Sequence, residues 1–76
     1  MKLQILGTGC VKCDKLYKHA QQAVQELGIE VEVSKVTDLK EIMAFGVMVT
    51  PALAINGQVK TSGKVPSVEV IKTMIQ

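Results

Sequence analysis

Apolar residues recur along the chain at two different spacings, and the change between them marks out the elements. A short apolar run within residues 2–6 has the length of a strand. Between residues 13 and 27, apolar positions return every three or four residues, which predicts an amphipathic helix. Gly28 follows the last of them, where a helix often ends. Residues 29–34 then alternate strictly between apolar and polar, which predicts a strand with one buried face.

The second half of the chain holds shorter elements. Asp38 followed three positions later by Glu41 is typical of a capped helix start, and we predict a short helix at about 39–44. Residues 52–55 are wholly apolar, which is the pattern of a central strand covered on both faces. The Asn-Gly pair at 56–57 predicts a type I′ hairpin turn.

After this turn, residues 58–60 return as a more polar strand, residues 61–64 are expected to be loop, and a last helix runs from about 66 to 75. The predicted order is β-α-β-α-β-β-α. A strand–helix–strand crossover joins parallel strands and is right-handed, whereas a hairpin joins antiparallel ones. The pattern therefore predicts an α/β fold with a four-stranded mixed sheet and helices on both faces.

Composition adds limits to this picture. The chain of 76 residues suits one small domain, predicted over residues 1–76. Only Tyr17 and Phe45 are aromatic, so the core must be aliphatic, and Tyr17, Met43 and Met48 are interpreted as core residues. The net charge is +2 and all nine basic residues are scattered lysines, so we expect no nucleic-acid binding. No apolar run approaches the roughly 20 residues of a membrane span and no signal-peptide region is evident, so we expect a cytoplasmic protein without membrane association.

The only two cysteines, Cys10 and Cys13, lie between the first strand and the first helix, in a loop to which glycines such as Gly7 give backbone freedom. A helix start presents unpaired N–H groups, which stabilise a thiolate at Cys10 and lower its pKa. Lys12 adds a positive charge nearby, whereas Asp14 acts in the opposite direction. This pattern suits one nucleophilic thiolate and a second sulfur that resolves a mixed disulfide.

Three features together resemble the thioredoxin-like family in its minimal form, close to glutaredoxins in size. They are Cys10-Val11-Lys12-Cys13 at a strand-to-helix junction, Thr50-Pro51 before the predicted hairpin, and the order of the elements. The resemblance covers nearly the whole chain. Family members with a Gly-x-Gly-Cys-x-x-Cys loop are small archaeal and bacterial redox-active disulfide proteins.

The resemblance implies roles for individual residues. Cys10 would be the attacking thiolate, and Cys13 the more buried resolving cysteine. Pro51 would be in the cis form against the disulfide, and Thr50 would offer its backbone to an extended substrate segment. Val11-Lys12, between the cysteines, joins them in the implied substrate-binding set. The implied sheet order is 2-1-3-4, with the third strand antiparallel to the others.

The chain also departs from its larger relatives. Thioredoxins carry Trp before the first cysteine, Gly-Pro between the two, and a buried Asp in the first strand. Here those positions hold Gly9, Val11-Lys12 and Gln4, and an amide cannot accept a proton at neutral pH. Glutaredoxins hold glutathione with a Gly-Gly pair and an acidic helix start, which residues 61–67 lack, so glutathione binding is not expected.

Two other classes of function remain open for the cysteine pair. A structural zinc site needs four ligands, and beyond two cysteines the chain offers only His19, expected on the solvated face of its helix. Copper(I) suits a thiolate pair better, but small copper chaperones resemble Met-x-Cys-x-x-Cys, where this chain has Thr8. We therefore predict no metal site. The other class is a non-catalytic interaction module of the same fold.

The predicted function is thiol–disulfide oxidoreduction that reduces protein disulfides through a Cys10/Cys13 dithiol. It requires no metal or organic cofactor. The expected partners are protein disulfide substrates and a reductase that recycles the pair, and the chain is expected to act as a monomer.

Overall fold

A computed structural model describes residues 2–8 and 11–75. Seven elements follow one another in the predicted order. They are β1 (Lys2–Leu6), α1 (Val11–Leu27), β2 (Glu32–Val36), α2 (Leu39–Ala44), β3 (Ala52–Ile55), β4 (Gln58–Ser62) and α3 (Val68–Ile75). No helix in these ranges is long and apolar enough to cross a membrane.

The four strands form one mixed sheet in the order β2-β1-β3-β4, as the resemblance implied. β1 is parallel to β2, with Lys2 opposite Glu32, and antiparallel to β3, with Leu3 opposite Ile55. β3 and β4 are antiparallel and joined by the hairpin turn, in which Asn56 and Gly57 both have positive φ angles, as a type I′ turn requires. The predicted α/β fold is confirmed.

Two strands have different bounds from those that the sequence pattern predicts. Alternation places the second strand at 29–34, whereas β2 begins at Glu32, opposite the first described residue of β1. β4 extends to Ser62, where loop was expected, because its last residues pair with Leu53 and Ala52. Alternation indicates which residues are extended and half-buried, but a strand's ends depend on the length of its neighbour.

The core lies on both faces of the sheet. α1 and α3 pack together on one face over a cluster whose buried members are all aliphatic: Leu3, Ile5, Leu16, Ala20, Ala23, Leu53, Ile55, Ile71 and Ile75. α2 covers the other face with a smaller cluster: Leu6, Val36, Ile42, Val47, Ala52 and Ala54. All four residues of β3 are buried, as expected for a central strand.

Local hydrogen bonds fix the ends of the helices. The Asp38 carboxylate accepts a hydrogen bond from the backbone N–H of Lys40 (2.8 Å), which confirms Asp38 as the N-cap of α2.

The expectation that His19 lies on the solvated face of α1 was wrong, because its ring is half-buried. Its Nδ1 lies 2.9 Å from the carbonyl oxygen of Pro66, and since a carbonyl only accepts, Nδ1 donates. This bond ties α1 to the loop that leads into α3.

Candidate active site

The second cysteine is buried where β1 meets α1. Cys13 lies in the first turn of α1 and is 4% exposed. Its neighbour across this junction is Gly7, the residue directly after β1. Cys10, the predicted nucleophile, immediately precedes α1 in the sequence but lies outside the described residues, as does Gly9.

Position 7 requires glycine because a side chain there would have no room, and not because the backbone adopts a conformation that only glycine favours. A β-carbon added there would collide with Sγ of Cys13, and its φ angle is not among the positive ones. The backbone N–H of Gly7 donates to the carbonyl oxygen of Val36 (3.0 Å), which holds the loop at the end of β2. The sequence offered no sign of this contact, because a loop glycine looks the same whether it provides a turn or a close approach.

The segment before β3 meets the same junction. The Thr50–Pro51 peptide bond is cis, as the resemblance implied. Pro51 is buried, while Thr50 is exposed, with its β-carbon 3.9 Å from the position of a β-carbon built on Gly7. The carbonyl oxygen of Pro51 accepts a hydrogen bond from the N–H of Gly63 (2.8 Å), which anchors this segment to the end of β4. Chain topology thus brings Thr50 next to Gly7 and Cys13.

An apolar groove of about 510 Å³ extends from this junction along α2. We call it the α2 groove; it is lined by Thr8, Leu39, Ile42, Met43, Gly46, Val47, Met48 and Thr50. The interpretation of its two methionines as core residues was wrong. Met48 is 97% exposed and Met43 is 64% exposed, and both line the groove.

Most of the exposed large apolar side chains lie on the groove or in the cysteine and proline segments of the chain. Among the described residues, seven large apolar side chains are exposed, and five of them lie on α2, between the two cysteines or in the two positions before Thr50. The five are Val11, Leu39, Met43, Met48 and Val49. Val11, between the cysteines, is 84% exposed, and its neighbour Lys12 is also exposed. Clustered exposed apolar surface on a small protein is typical of an interaction site.

A charged cluster lies beside Cys13 on the other side of the junction. The ammonium Nζ of Lys35 is 2.9 Å from Oδ1 of Asp14 and 4.7 Å from the centre of the Tyr17 ring. The hydrogen bond with Asp14 raises the pKa of Lys35, against a smaller effect of desolvation, and the negative charges of Asp14, Tyr17 and Cys13 raise it further. Tyr17, interpreted as core, packs partly on the main cluster and also forms this cation–π contact.

The described residues show no group of three metal-binding side chains. What they show is a cysteine in the first turn of a helix, a glycine against its sulfur and a cis-proline segment beside it. Residues 1–76 match the family model described as a thioredoxin domain. The chain belongs to the thioredoxin family.

Two archaeal thioredoxins are similar over most of their length. The thioredoxin of Methanothermobacter thermautotrophicus is 44% identical over 75 residues, which cover 99% of this chain and 97% of that protein. The thioredoxin of Methanocaldococcus jannaschii is 49% identical over 70 residues, which cover 92% of this chain and 80% of that protein. The chain is a thiol–disulfide oxidoreductase of the thioredoxin type. In general terms, membership implies protein disulfides as substrates and a reductase as a partner.

Proposed function

We propose that the protein reduces disulfides of other proteins with Cys10 as the attacking thiolate and Cys13 as the resolving thiol. The observation that carries this assignment is the burial of Cys13 in the first turn of α1, with Sγ against Gly7 and next to Thr50. Because the Cys13 sulfur is buried, it can reach only a disulfide that is already bonded to the sulfur of Cys10. An exposed partner disulfide is therefore attacked first by the other cysteine.

The exchange proceeds in two steps. The Cys10 thiolate attacks one sulfur of the substrate disulfide, a mixed disulfide forms, and the first substrate sulfur leaves as a thiolate that takes a proton from solvent. Cys13 then loses its proton and attacks the Cys10 sulfur, so that the bond between Cys10 and the substrate breaks. The substrate gains two electrons and two protons, and the protein keeps a Cys10–Cys13 disulfide. This chemistry uses the cysteine pair itself and no separate cofactor, and a reductase restores the dithiol.

The substrate segment is assigned to the α2 groove. Thr50, which lines the groove, would pair through its backbone with an extended segment, and the exposed Val11 and Lys12 between the cysteines would contact the same segment. The eight described residues that line the groove are all uncharged. An apolar segment of a protein fits such a lining, whereas glutathione disulfide, with four carboxylates, would lose hydration there, and none of the lining residues is a cation that could compensate for that loss. We therefore infer that protein disulfides are preferred over glutathione disulfide.

The proposed activity also has a proposed oligomeric state and cellular compartment. We infer a single domain over residues 1–76 that acts as a monomer in the cytoplasm. A reducing compartment would keep the cysteine pair largely as the dithiol, so that the pair donates electrons.

The first test is the reduction potential of the cysteine pair in metal-free protein. Graded dithiol buffers, followed by thiol alkylation and mass measurement, give the fraction of disulfide at each potential. We expect a reversible two-electron transition at or below roughly −220 mV, which suits a reductant in a cytosolic thiol pool. A much more oxidising value would contradict the assigned direction. If no intramolecular disulfide forms, dithiol exchange is wrong, and titration with Cu(I) would then test the metal-binding alternative.

Serine substitutions separate the roles of the two cysteines. Cys13→Ser is expected to accumulate a stable mixed disulfide with a substrate protein, because the resolving sulfur is missing, whereas Cys10→Ser is expected to form none. Non-reducing electrophoresis measures both. Accumulation with Cys10→Ser instead would reverse the assigned roles, and retained partner binding with both serines would support the interaction module.

A further inference from the structure

The resolving step poses a specific problem in this chain. Cys13 must lose a proton before it can attack, and it does so in a buried position. Position 4 in β1 holds Gln4, whose amide cannot accept that proton. No charged or polar side chain is fully buried among the described residues. A charged side chain among the described residues that assists ionisation of Cys13 therefore acts from the more exposed layer around it.

Lys35 is the cation placed to do so. Its ammonium bridges Asp14 and Tyr17, the residues one and four positions after Cys13 on α1. Residues four apart lie on the same helix face, so Tyr17 and Cys13 share the face toward which Lys35 extends. Val36 follows Lys35 on β2, and its carbonyl oxygen accepts the hydrogen bond from the N–H of Gly7. Gly7 in turn lies against the sulfur of Cys13, so this part of β2 is close to the buried cysteine.

The electrostatic effect agrees with this geometry. Besides Asp14 and Tyr17, the charge of Cys13 raises the pKa of Lys35. Such an interaction is reciprocal, so the ammonium also favours the Cys13 thiolate. The titratable groups that act on Lys35 all come from α1, and the neighbours that β1 and the segment before β3 place at this junction, Gly7 and Thr50, are uncharged.

We propose that Lys35 is a positioning residue for the resolving step: held by Asp14 and Tyr17, its ammonium stabilises the thiolate of Cys13. This inference rests on the proposed roles of the two cysteines. The thiol proton leaves to solvent and the thiolate attacks the Cys10 sulfur. The disulfide of the protein forms, and the substrate sulfur leaves with the electron pair of the broken bond. Lys35 gains and loses no proton in this sequence.

The test follows the two steps in one stopped-flow experiment. The reduced full-length protein is mixed with excess 5,5′-dithiobis(2-nitrobenzoate). Attack by Cys10 releases the first thionitrobenzoate at a rate proportional to reagent concentration. Resolution by Cys13 releases the second at a rate independent of it. The second rate, measured from pH 5 to 9, reports ionisation of Cys13 alone.

Removing the charge is expected to slow only the second phase. In Lys35→Met we expect it to be about two- to fivefold slower at pH 6, with the midpoint of its pH profile raised by about 0.3–0.7 pH unit. Lys35→Arg should restore most of the rate because it keeps the charge. Asp14→Asn removes both the anchor of Lys35 and a negative charge next to Cys13, so these two effects oppose each other and the second phase should change less than in Lys35→Met. Added salt should reduce the difference between wild type and Lys35→Met.

The matched control is Lys72→Met. Lys72 also forms an ion pair with a residue of α1, Glu26 (3.0 Å), but that residue is thirteen positions from Cys13, about 20 Å along the helix. The proposal is overturned if the second phase and its pH profile are unchanged in Lys35→Met, or if Lys72→Met changes them equally. Failure of the proposed function looks different, because the wild-type protein would then release no second equivalent.

Discussion

Replacing Gly7 with alanine tests whether the contact between the β1 loop and Cys13 organises the active site. The new β-carbon would collide with Sγ of Cys13 and lie 3.3 Å from its Cβ. Because Cys13 is 4% exposed and Gly7 is held to Val36 by a hydrogen bond, neither can move aside freely. Overpacking of this kind typically costs about 1–3 kcal/mol, and we expect the free energy of unfolding to fall by about 2 kcal/mol.

The same displacement would misplace the resolving sulfur. A shift of about 1 Å in a reacting group can slow a reaction about a hundredfold, so we expect Gly7→Ala to slow the second thionitrobenzoate release at least tenfold. The first release should change little. Urea denaturation of the reduced protein measures the stability, and stopped-flow absorbance measures both phases.

Two further variants separate crowding from other causes. Gly28→Ala introduces a side chain at a positive φ (+65°) with nothing within 4 Å, so it should cost about 1 kcal/mol from backbone strain and leave the second phase intact. Combining Gly7→Ala with Cys13→Ala removes the sulfur that collides, and the double mutant should recover about 1–2 kcal/mol relative to additivity. If Gly7→Ala is as stable as wild type and resolves at the same rate, the reasoning about this contact is wrong.

Three other predictions concern the scaffold. Leu53→Ala in the fully buried central strand should lower the free energy of unfolding by about 2–5 kcal/mol, whereas Leu39→Ala on the exposed edge of the groove should change it by less than about 0.5 kcal/mol, as measured by urea denaturation. The hydrogen bond from Lys72 lowers the pKa of Glu26, so this carboxylate stabilises the fold above pH 4.5, its ordinary pKa, and loses that contribution as the pH falls through the lowered value. The thermal unfolding midpoint should therefore decline less steeply between pH 6 and pH 3 in Lys72→Met than in the wild type. Equal slopes would contradict the coupling. His19→Ala removes the hydrogen bond that ties α1 to the loop before α3 and should cost about 1 kcal/mol, while His19→Asn, which can donate a similar bond, should cost less.

Part of the candidate active site could be predicted from the sequence, because its motif residues lie at fixed places in the chain. The Cys-x-x-Cys spacing at a strand-to-helix junction and the Thr-Pro before the central strand identified Cys13, Thr50 and Pro51 together, and the cis bond followed from the resemblance. The roles of Gly7 and Lys35 could not be predicted in this way. Their function depends on which side chain lies across the junction, and that neighbour is distant in sequence.

Met43 and Met48 also show that the sequence alone does not identify the neighbours of a side chain. Met43 and Met48 are apolar, and burial was the simplest interpretation of them, yet both line an open groove. Hydrophobicity favours burial but does not say whether the opposing surface is present in the same chain. On this protein the surface that would cover them belongs to a substrate, according to the function proposed above.

What the sequence determined by itself is local: the order of the elements, the hairpin turn at Asn56 and the cap at Asp38. These depend on the periodicity of apolar positions and on backbone preferences within a few residues. The tertiary structure alone decided where β2 begins, why position 7 has no side chain and which cation lies beside Cys13. Those features arise from contacts between elements that are far apart in the chain, since a strand's bounds, a steric limit and an electrostatic partner are each set by the neighbour across the fold.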